Sequence, residues 1–181
     1  MRALKILLLT AIALTTITVL LSSVITPHPP TDQQLETYFV DHRADFDRLK
    51  EMAEEDRHMA RVAQDFTWRQ DTFAWPRPET DWGITKERWD NYRAYFHKAK
   101  VLEGINQQEK SCDIEFIAWS WGLVTGGASI SYVYCGEPKD GYTHTLFPCI
   151  HQMKSAEKAD NREHLRYKQL DGNWYLFELR D

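Results

Sequence analysis

The apolar positions follow a different pattern in each of three regions of the chain. The first region is a run of 20 uncharged, mostly apolar residues at positions 6–25, preceded by Arg2 and Lys5. An α-helix of about 20 such residues crosses a bilayer, and basic residues beside it stay in the cytoplasm. We therefore predict a cytoplasmic N-terminus over residues 1–5, a transmembrane anchor over residues 6–25 and an extracytoplasmic remainder.

A cleaved signal peptide is the alternative interpretation of this segment. Signal peptides have a shorter apolar stretch and small residues at the cut site. The sequence from Ser22 to Thr26 offers no clear small-x-small site before Pro27, and no nearby cysteine would allow a lipoprotein anchor. Both interpretations export the domain, which we expect at the inner membrane, facing the periplasm.

The second region has the spacing of amphipathic helices. After a proline-rich spacer at residues 26–31, apolar residues recur every three or four positions over residues 32–58, which predicts one long helix. Thr31 begins a capping-box sequence at its start. A second helix, with Trp and Tyr on its apolar face, is predicted to begin at Thr85 and to end at Gly104.

The third region alternates as β-strands do. Strand-like stretches around glycine-containing turns predict two hairpins, 113–124 with 128–135 and 165–170 with 174–179. The turn of the second is Asp171-Gly172, a strong two-residue turn signal. We therefore expect an α+β domain over residues 32–181, with N-terminal helices packed on one face of an antiparallel sheet of about four strands, preceded by the transmembrane helix.

A group of short motifs is spread across this domain. They are Tyr38 through Phe46, Met52, Glu55-Asp56, Arg61-Val62-Ala63, Asp65-Phe66 and the closing Asp171 through Leu176. On these motifs the chain resembles a family of short exported or membrane-anchored bacterial proteins of unknown function, over most of residues 35–181. The resemblance implies no activity and no catalytic residue.

Net charge argues against one class of partner. The residues after position 30 carry 20 Lys and Arg against 27 Asp and Glu, a net charge of −7. Nucleic acids and anionic membrane surfaces attract clustered positive charge. We therefore expect no nucleic-acid partner.

Three cysteines, Cys112, Cys135 and Cys149, lie in the exported part of the chain. In an oxidising compartment two of them are expected to pair. Spacing alone does not decide the pairing, but a polar turn with two glycines between Cys135 and Cys149 favours that pair, because it can fold the chain back. Such a disulfide would stabilise the domain by roughly 3 kcal/mol in the chain-entropy model.

Residues that could carry chemistry are sparse. His42 and Asp45 lie one helical turn apart, an arrangement that can relay a proton or bind a metal. A packed histidine bonded to its neighbour is the more ordinary role of such a pair. Glu55 and His58 form a Glu-x-x-His motif, but a di-iron site needs a second copy, which the sequence lacks. We predict no metal, no cofactor and no catalytic set.

Aromatic residues supply the strongest binding signal. Phe73, Trp75 and Trp82 crowd one proline-rich segment that we interpret as a surface loop, where aromatic side chains often bind partners. Trp119 and Trp121 share one face of a predicted strand, where the ordinary role of such residues is to fill the core.

Three functions fit these features. A membrane-tethered, non-catalytic module that binds another envelope protein through the 73–82 loop is favoured by the anchor, the small size and the absence of catalytic motifs. A domain that binds a small molecule or a cell-wall glycan would need a concave site lined by Trp119, Trp121 or Tyr134. An enzyme that uses His42 and Asp45 would need several titratable groups to converge in one cleft.

Overall fold

The computed structural model describes residues 28–70, 82–109, 111–123, 126–137 and 164–180. Three helices lie in this part of the chain: α1 Asp32–Asp41, α2 Arg43–Glu55 and α3 Lys86–Ala99. Its seven strands are β1 Met59–Val62, β2 Thr67–Arg69, β3 Gly104–Gln107, β4 Asp113–Leu123, β5 Gly126–Cys135, β6 His164–Asp171 and β7 Trp174–Arg180. They form one antiparallel sheet with the order β2-β1-β3-β4-β5-β7-β6.

The prediction of about four strands is wrong, because the described residues contain seven and the fold is mostly sheet. The two predicted hairpins are confirmed as β4–β5 and β6–β7, and β5 pairs with β7 to join them. The prediction did not include β1, β2 and β3. These strands are only three or four residues long, which is too short to show an alternating pattern.

The fold prediction is also wrong in placing a transmembrane helix before the sheet. Within the described ranges, no helix has the length and apolar character needed to cross a membrane. The longest, α3, has 14 residues, fewer than the roughly 20 that a bilayer requires. Residues 6–25, which carried the prediction, lie outside the described residues.

The single helix predicted over residues 32–58 is two helices that meet at His42. The capping box at its start is confirmed: Thr31 N donates to the Gln34 side-chain oxygen at 2.9 Å, and Gln34 N donates to Thr31 Oγ1 at 3.3 Å. His42 interrupts the helix with φ −117° and ψ 23°. Apolar residues keep their helical spacing through this break, so the hydrophobic pattern gives no sign of it.

Helix α3 begins as predicted and ends earlier than predicted. Thr85 Oγ1 accepts from Arg88 N at 3.1 Å, which confirms the N-cap. The helix ends at Lys100, which takes the left-handed conformation with φ 55°. Gly104 instead begins β3 with φ 91°, and a Cβ there would lie 2.1 Å from the carbonyl oxygen of Val62. Glycine is therefore required for the close approach of β3 to β1.

The helices and one face of the sheet enclose a single aromatic core. Phe46 of α2 lies at its centre, with its ring centroid 4.5 Å from that of Tyr132 and 5.7 Å from that of Trp174. All three side chains are almost fully buried. Tyr132 also donates its hydroxyl to the carbonyl of Leu35 at 2.9 Å, which fixes α1 against β5.

A β-bulge in β4 decides which way its tryptophans face. Ile117 stands opposite Ser131, but Trp119 stands opposite Ile130, so Ala118 is an extra residue in the strand. Ile130 belongs to the core between the helices and the sheet. The bulge therefore turns Trp119, and with it Trp121 two residues further, toward the face that carries the helices.

Candidate binding groove

An apolar groove lies where three distant segments of the chain meet. It is bounded by the start of α1, the turn after α3 and the bulge of β4, and it has a volume of about 570 Å³. We call it the N-terminal groove and define it by the residues Pro30, Leu35, Tyr38, Leu102, Ala118 and Trp119. His28 and Pro29, the first described residues, also line it.

The turn after α3 brings Leu102 to the rim of the groove. The left-handed Lys100 lets Val101 N donate to the carbonyl of Phe96 at 3.0 Å, which closes the end of the helix. Val101 is then fully buried and the next residue, Leu102, points outward with 56 % of its surface exposed. A glycine-type backbone conformation at a lysine thus places a leucine in solvent.

Exposed hydrophobic side chains lie at and beside the groove. Large hydrophobic side chains are exposed at three positions in the described part of the chain, and two of them are Leu102 and Trp121, at 56 % and 53 %. Burying a leucine side chain completely is worth about 1.5–3 kcal/mol. A ligand that covers this surface would therefore gain binding free energy from desolvation.

Ion pairs hold the α1 wall of the groove in place. Arg166 on β6 contacts Asp32 in the first turn of α1 at 2.7 Å and Glu178 on β7 at 2.6 Å. The hydrogen bonds that Arg166 donates to these two carboxylates raise the pKa of its guanidinium further above its usual value. Lys168 forms a second ion pair with Glu36, one turn along α1. The helix is thus tied to the β6–β7 hairpin on the side away from Trp119.

The structure brings His42 and Asp45 together, as the sequence predicted. Their side chains lie 3.1 Å apart, between His42 Nδ1 and Asp45 Oδ2, and Lys98 Nζ lies 3.9 Å from the other carboxylate oxygen. Both side chains are partly exposed. Among the described residues, no three His, Cys, Asp or Glu side chains converge as metal ligands do. The pair forms a local contact at the junction of α1 and α2.

The predicted aromatic loop is only partly described. Trp82 packs on Trp89 of α3, with ring centroids 4.5 Å apart, and its carbonyl accepts from Thr67 Oγ1 at 2.6 Å. Trp82 therefore packs against the core and is only partly buried, and its predicted binding role stays a prediction. Phe73 and Trp75 lie outside the described residues.

The two described cysteines, Cys112 and Cys135, are in different chemical states. Cys112 is a buried thiol, and burial together with the charge of Asp113 raises its pKa to about 11. A thiol with so high a pKa is a poor nucleophile at neutral pH. Cys135 is disulfide-bonded. Its predicted partner Cys149 lies outside the described residues, so the pairing stays a prediction.

Tyr134, which the sequence grouped with the two tryptophans as a ligand contact, lines a different cavity. This hollow has a volume of about 330 Å³ and is bordered by Lys50, Glu54, Arg57 and Cys112. Lys50 Nζ lies 4.8 Å from the centroid of the Tyr134 ring and 3.5 Å from a carboxylate oxygen of Glu54. It is a polar cavity, in contrast to the N-terminal groove.

Sequence reasoning missed a buried polar group on the sheet face that points away from the helices. Glu115 of β4 accepts from Ser131 Oγ at 2.7 Å and from Asn106 Nδ2 at 3.2 Å. Burial raises the pKa of its carboxyl, while the two hydrogen bonds and Arg61 oppose that shift. The signal was present in the sequence, because Asp113 and Glu115 alternate with apolar residues and so share one strand face.

Comparison with known proteins adds no relative. No protein-family model, curated protein or solved structure matches the chain. The resemblance to short exported bacterial proteins therefore stays a prediction.

Proposed function

We propose that this chain is a membrane-attached, extracytoplasmic interaction module that binds an apolar segment of another envelope protein without catalysing a reaction. The observation that carries the proposal is the N-terminal groove, an open apolar hollow with Leu102 exposed at its rim. Contiguous exposed apolar surface marks interaction sites on soluble domains. We prefer the groove to the 73–82 loop because all of the residues that define the groove are described, and the role of Phe73 and Trp75 stays a prediction.

The groove has the make-up of a binding hot spot. Trp119 and Tyr38 offer large, rigid aromatic surfaces beside aliphatic side chains, and such residues dominate binding energy at protein interfaces. The ion pairs of Arg166 and Lys168 hold α1 in position before a partner arrives. A preformed groove loses little conformational entropy on binding.

Two features support a location outside the cytoplasm. The apolar run at residues 6–25 follows Arg2 and Lys5, the pattern of a segment that exports what comes after it. Cys135 is disulfide-bonded, and disulfides persist in oxidising compartments such as the periplasm. Both features fit a domain attached to the inner membrane on its outer side.

A small polar ligand in the Tyr134 cavity is the second candidate function. The cavity volume of about 330 Å³ falls in the range of small-molecule sites. Lys50 and Arg57 supply cationic groups, and Tyr134 supplies an aromatic face. The neighbouring Glu54 already pairs with Lys50, which leaves less positive charge for an anionic ligand. For this reason the groove is the better supported site.

The test is crosslinking of the tagged full-length protein in its own membranes, followed by purification and mass spectrometry. We expect one enriched protein, whose yield falls about tenfold or more with Leu102→Ser, because a lost leucine contact costs at least about 1.4 kcal/mol. Val40→Ser is the matched control, since Val40 is 72 % exposed but lines a different hollow beside Leu170. Equal yields from the two variants would contradict the proposal.

A further inference from the structure

We infer that the segment bound in the N-terminal groove is acidic as well as apolar: it carries an aspartate or glutamate beside apolar side chains, and this carboxylate pairs with Lys100. The inference rests on the proposed function and names the chemistry of the partner. It follows from three hydrogen-bond donors, one on each wall of the groove, and from the charge of the residues that line it.

Gln34 supplies a donor on the α1 wall. Its side-chain oxygen is occupied by the capping box, where it accepts from Thr31 N at 2.9 Å and from Thr31 Oγ1 at 3.1 Å. A backbone N–H needs an acceptor, so this contact also decides which end of the amide is the oxygen. The NH₂ end is therefore left for an occupant of the groove, and it has no hydrogen-bond partner among the residues that the structure describes.

Trp119 supplies a donor on the β4 wall. Its indole N–H is shielded from solvent and meets no acceptor in the described part of the chain, although the side chain as a whole is partly exposed. An indole nitrogen can only donate, and a shielded donor without an acceptor is unfavourable. An occupant that turns the ring slightly toward the groove and offers an oxygen would remove this cost.

Lys100 supplies the charge of the groove. It is exposed at the left-handed turn after α3, and it forms no ion pair within the described ranges. None of the described residues that line the groove is Asp or Glu, although the residues after position 30 carry a net charge of −7. The groove is thus a positively charged hollow on a negatively charged domain. Charge complementarity therefore favours an occupant that carries a carboxylate.

The placement of the donors favours a peptide over a fatty acid. A fatty acid carries its oxygens at one end, so it can meet the donor on one wall only. A peptide has a carbonyl oxygen at every residue, so its backbone can meet Gln34 and Trp119 while an acidic side chain meets Lys100. Apolar side chains of the same segment would cover Leu102 and fill the hollow of about 570 Å³.

The experiment places the photoreactive amino acid p-benzoylphenylalanine in place of Tyr38, which lines the groove, in the full-length protein in its native membranes. The same probe in place of the exposed Val40 gives the background yield, and adducts are mapped by mass spectrometry to peptides and to lipids. The yield is then compared among Lys100→Glu, Lys100→Arg and Lys98→Glu. Lys98 is the matched control, because it is exposed at the same end of α3 and does not line the groove.

We expect the probe at position 38 to label a peptide with an aspartate or glutamate beside apolar residues. Lys100→Glu should lower the yield about fivefold, which corresponds to about 1 kcal/mol, because it replaces an attraction by a repulsion. This fall should shrink at high salt, since dissolved ions screen an exposed pair. Lys100→Arg keeps the charge and Lys98→Glu leaves the groove unaltered, so both should retain the yield of the parent protein.

Two results would overturn the inference while leaving a groove that binds a protein. One is a labelled peptide without an acidic residue, and the other is an equal yield from Lys100→Glu and Lys98→Glu. A different result contradicts the proposed function itself: no peptide adduct at position 38 above the background at Val40, whether or not lipids are labelled. The failure of the partner's chemistry and the failure of the groove are thereby distinguished.

Discussion

Trp119 stands opposite Ile130 in the β4–β5 ladder, although Ile117, two residues earlier, stands opposite Ser131. The extra residue between them, Ala118, places the tryptophan on the helix-bearing face and itself forms part of the groove floor. One inserted residue thus allows two adjacent residues of β4, Ala118 and Trp119, to line the groove. In a regular strand, residue 119 would point to the opposite face.

Ala118→Leu is expected to block the groove from below. The larger side chain would project from the floor into the space that a partner fills, and we expect the crosslinked yield to fall several-fold. Overpacking costs about 1–3 kcal/mol of stability, so the domain should remain folded with a lowered melting temperature. Ala44→Leu on the exposed side of α2 makes the same change in volume away from the groove and should leave the yield unaltered. An undiminished yield with Ala118→Leu would show that the floor is not used.

Gly104→Ala is expected to be one of the most damaging single changes in the domain. Its φ of 91° is unfavourable for any side chain, and the new Cβ would lie 2.1 Å from the carbonyl oxygen of Val62, which itself belongs to the sheet. We expect a loss of more than about 3 kcal/mol in the free energy of unfolding, measured by urea titration.

Gly172→Ala is the matched control for this prediction. Gly172 also has a positive φ, 54°, but no atom lies within 4 Å of the position of its Cβ. Its loss should be only about 1–2 kcal/mol, from backbone strain alone. Similar losses in the two variants would mean that the contact with Val62 carries no cost of its own.

These positions show what the sequence could and could not predict. The Asp171-Gly172 turn and the alternating strands around it identify a hairpin because their signals are local. The break at His42 and the bulge at Ala118 leave the apolar spacing intact, so the pattern extends through both. Each is fixed by how the helices and strands pack, which a local pattern does not record.

The candidate site was predictable only in part for the same reason. Trp119 was singled out because it is a tryptophan in a strand, but its face depends on the bulge. The sequence did not indicate that Leu102 would be exposed, because its exposure follows from the left-handed turn at Lys100. The groove joins residues 28–38, 100–102 and 118–119, and their proximity is a property of the tertiary structure.

Cys112 is expected to resist alkylation in the folded protein. Its raised pKa of about 11 leaves little thiolate at pH 7, and its side chain is almost fully buried. We expect iodoacetamide to modify it slowly near neutral pH and faster as the pH approaches 11, with unfolding in urea removing the protection at any pH. Peptide mapping by mass spectrometry after a timed reaction measures this rate. Rapid labelling of the native protein at pH 7 would contradict both the burial and the raised pKa.

Glu115→Gln is expected to change how stability depends on pH. Burial raises the pKa of Glu115 above its ordinary value of 4.5 in the folded state. Well below pH 4.5 the carboxyl of Glu115 is protonated in both the folded and the unfolded protein, so its pKa shift does not change the free energy of unfolding. As the pH rises through the raised pKa, the unfolded chain ionises more readily than the folded one, so the wild-type free energy of unfolding falls, by about 1.4 kcal/mol per unit of pKa shift.

Glutamine cannot ionise, so the variant lacks this loss. Its side chain has the same shape, and Ser131 and Asn106 can each act as donor or acceptor, which preserves the hydrogen bonds to residue 115. Subtracting the two unfolding curves, measured in urea at a series of pH values, cancels every other titrating group. The difference in stability, variant minus wild type, should grow as the pH rises above 4.5 and then level off. A difference that shrinks over the same range would mean that the hydrogen bonds and Arg61 outweigh burial and lower the pKa of Glu115 instead.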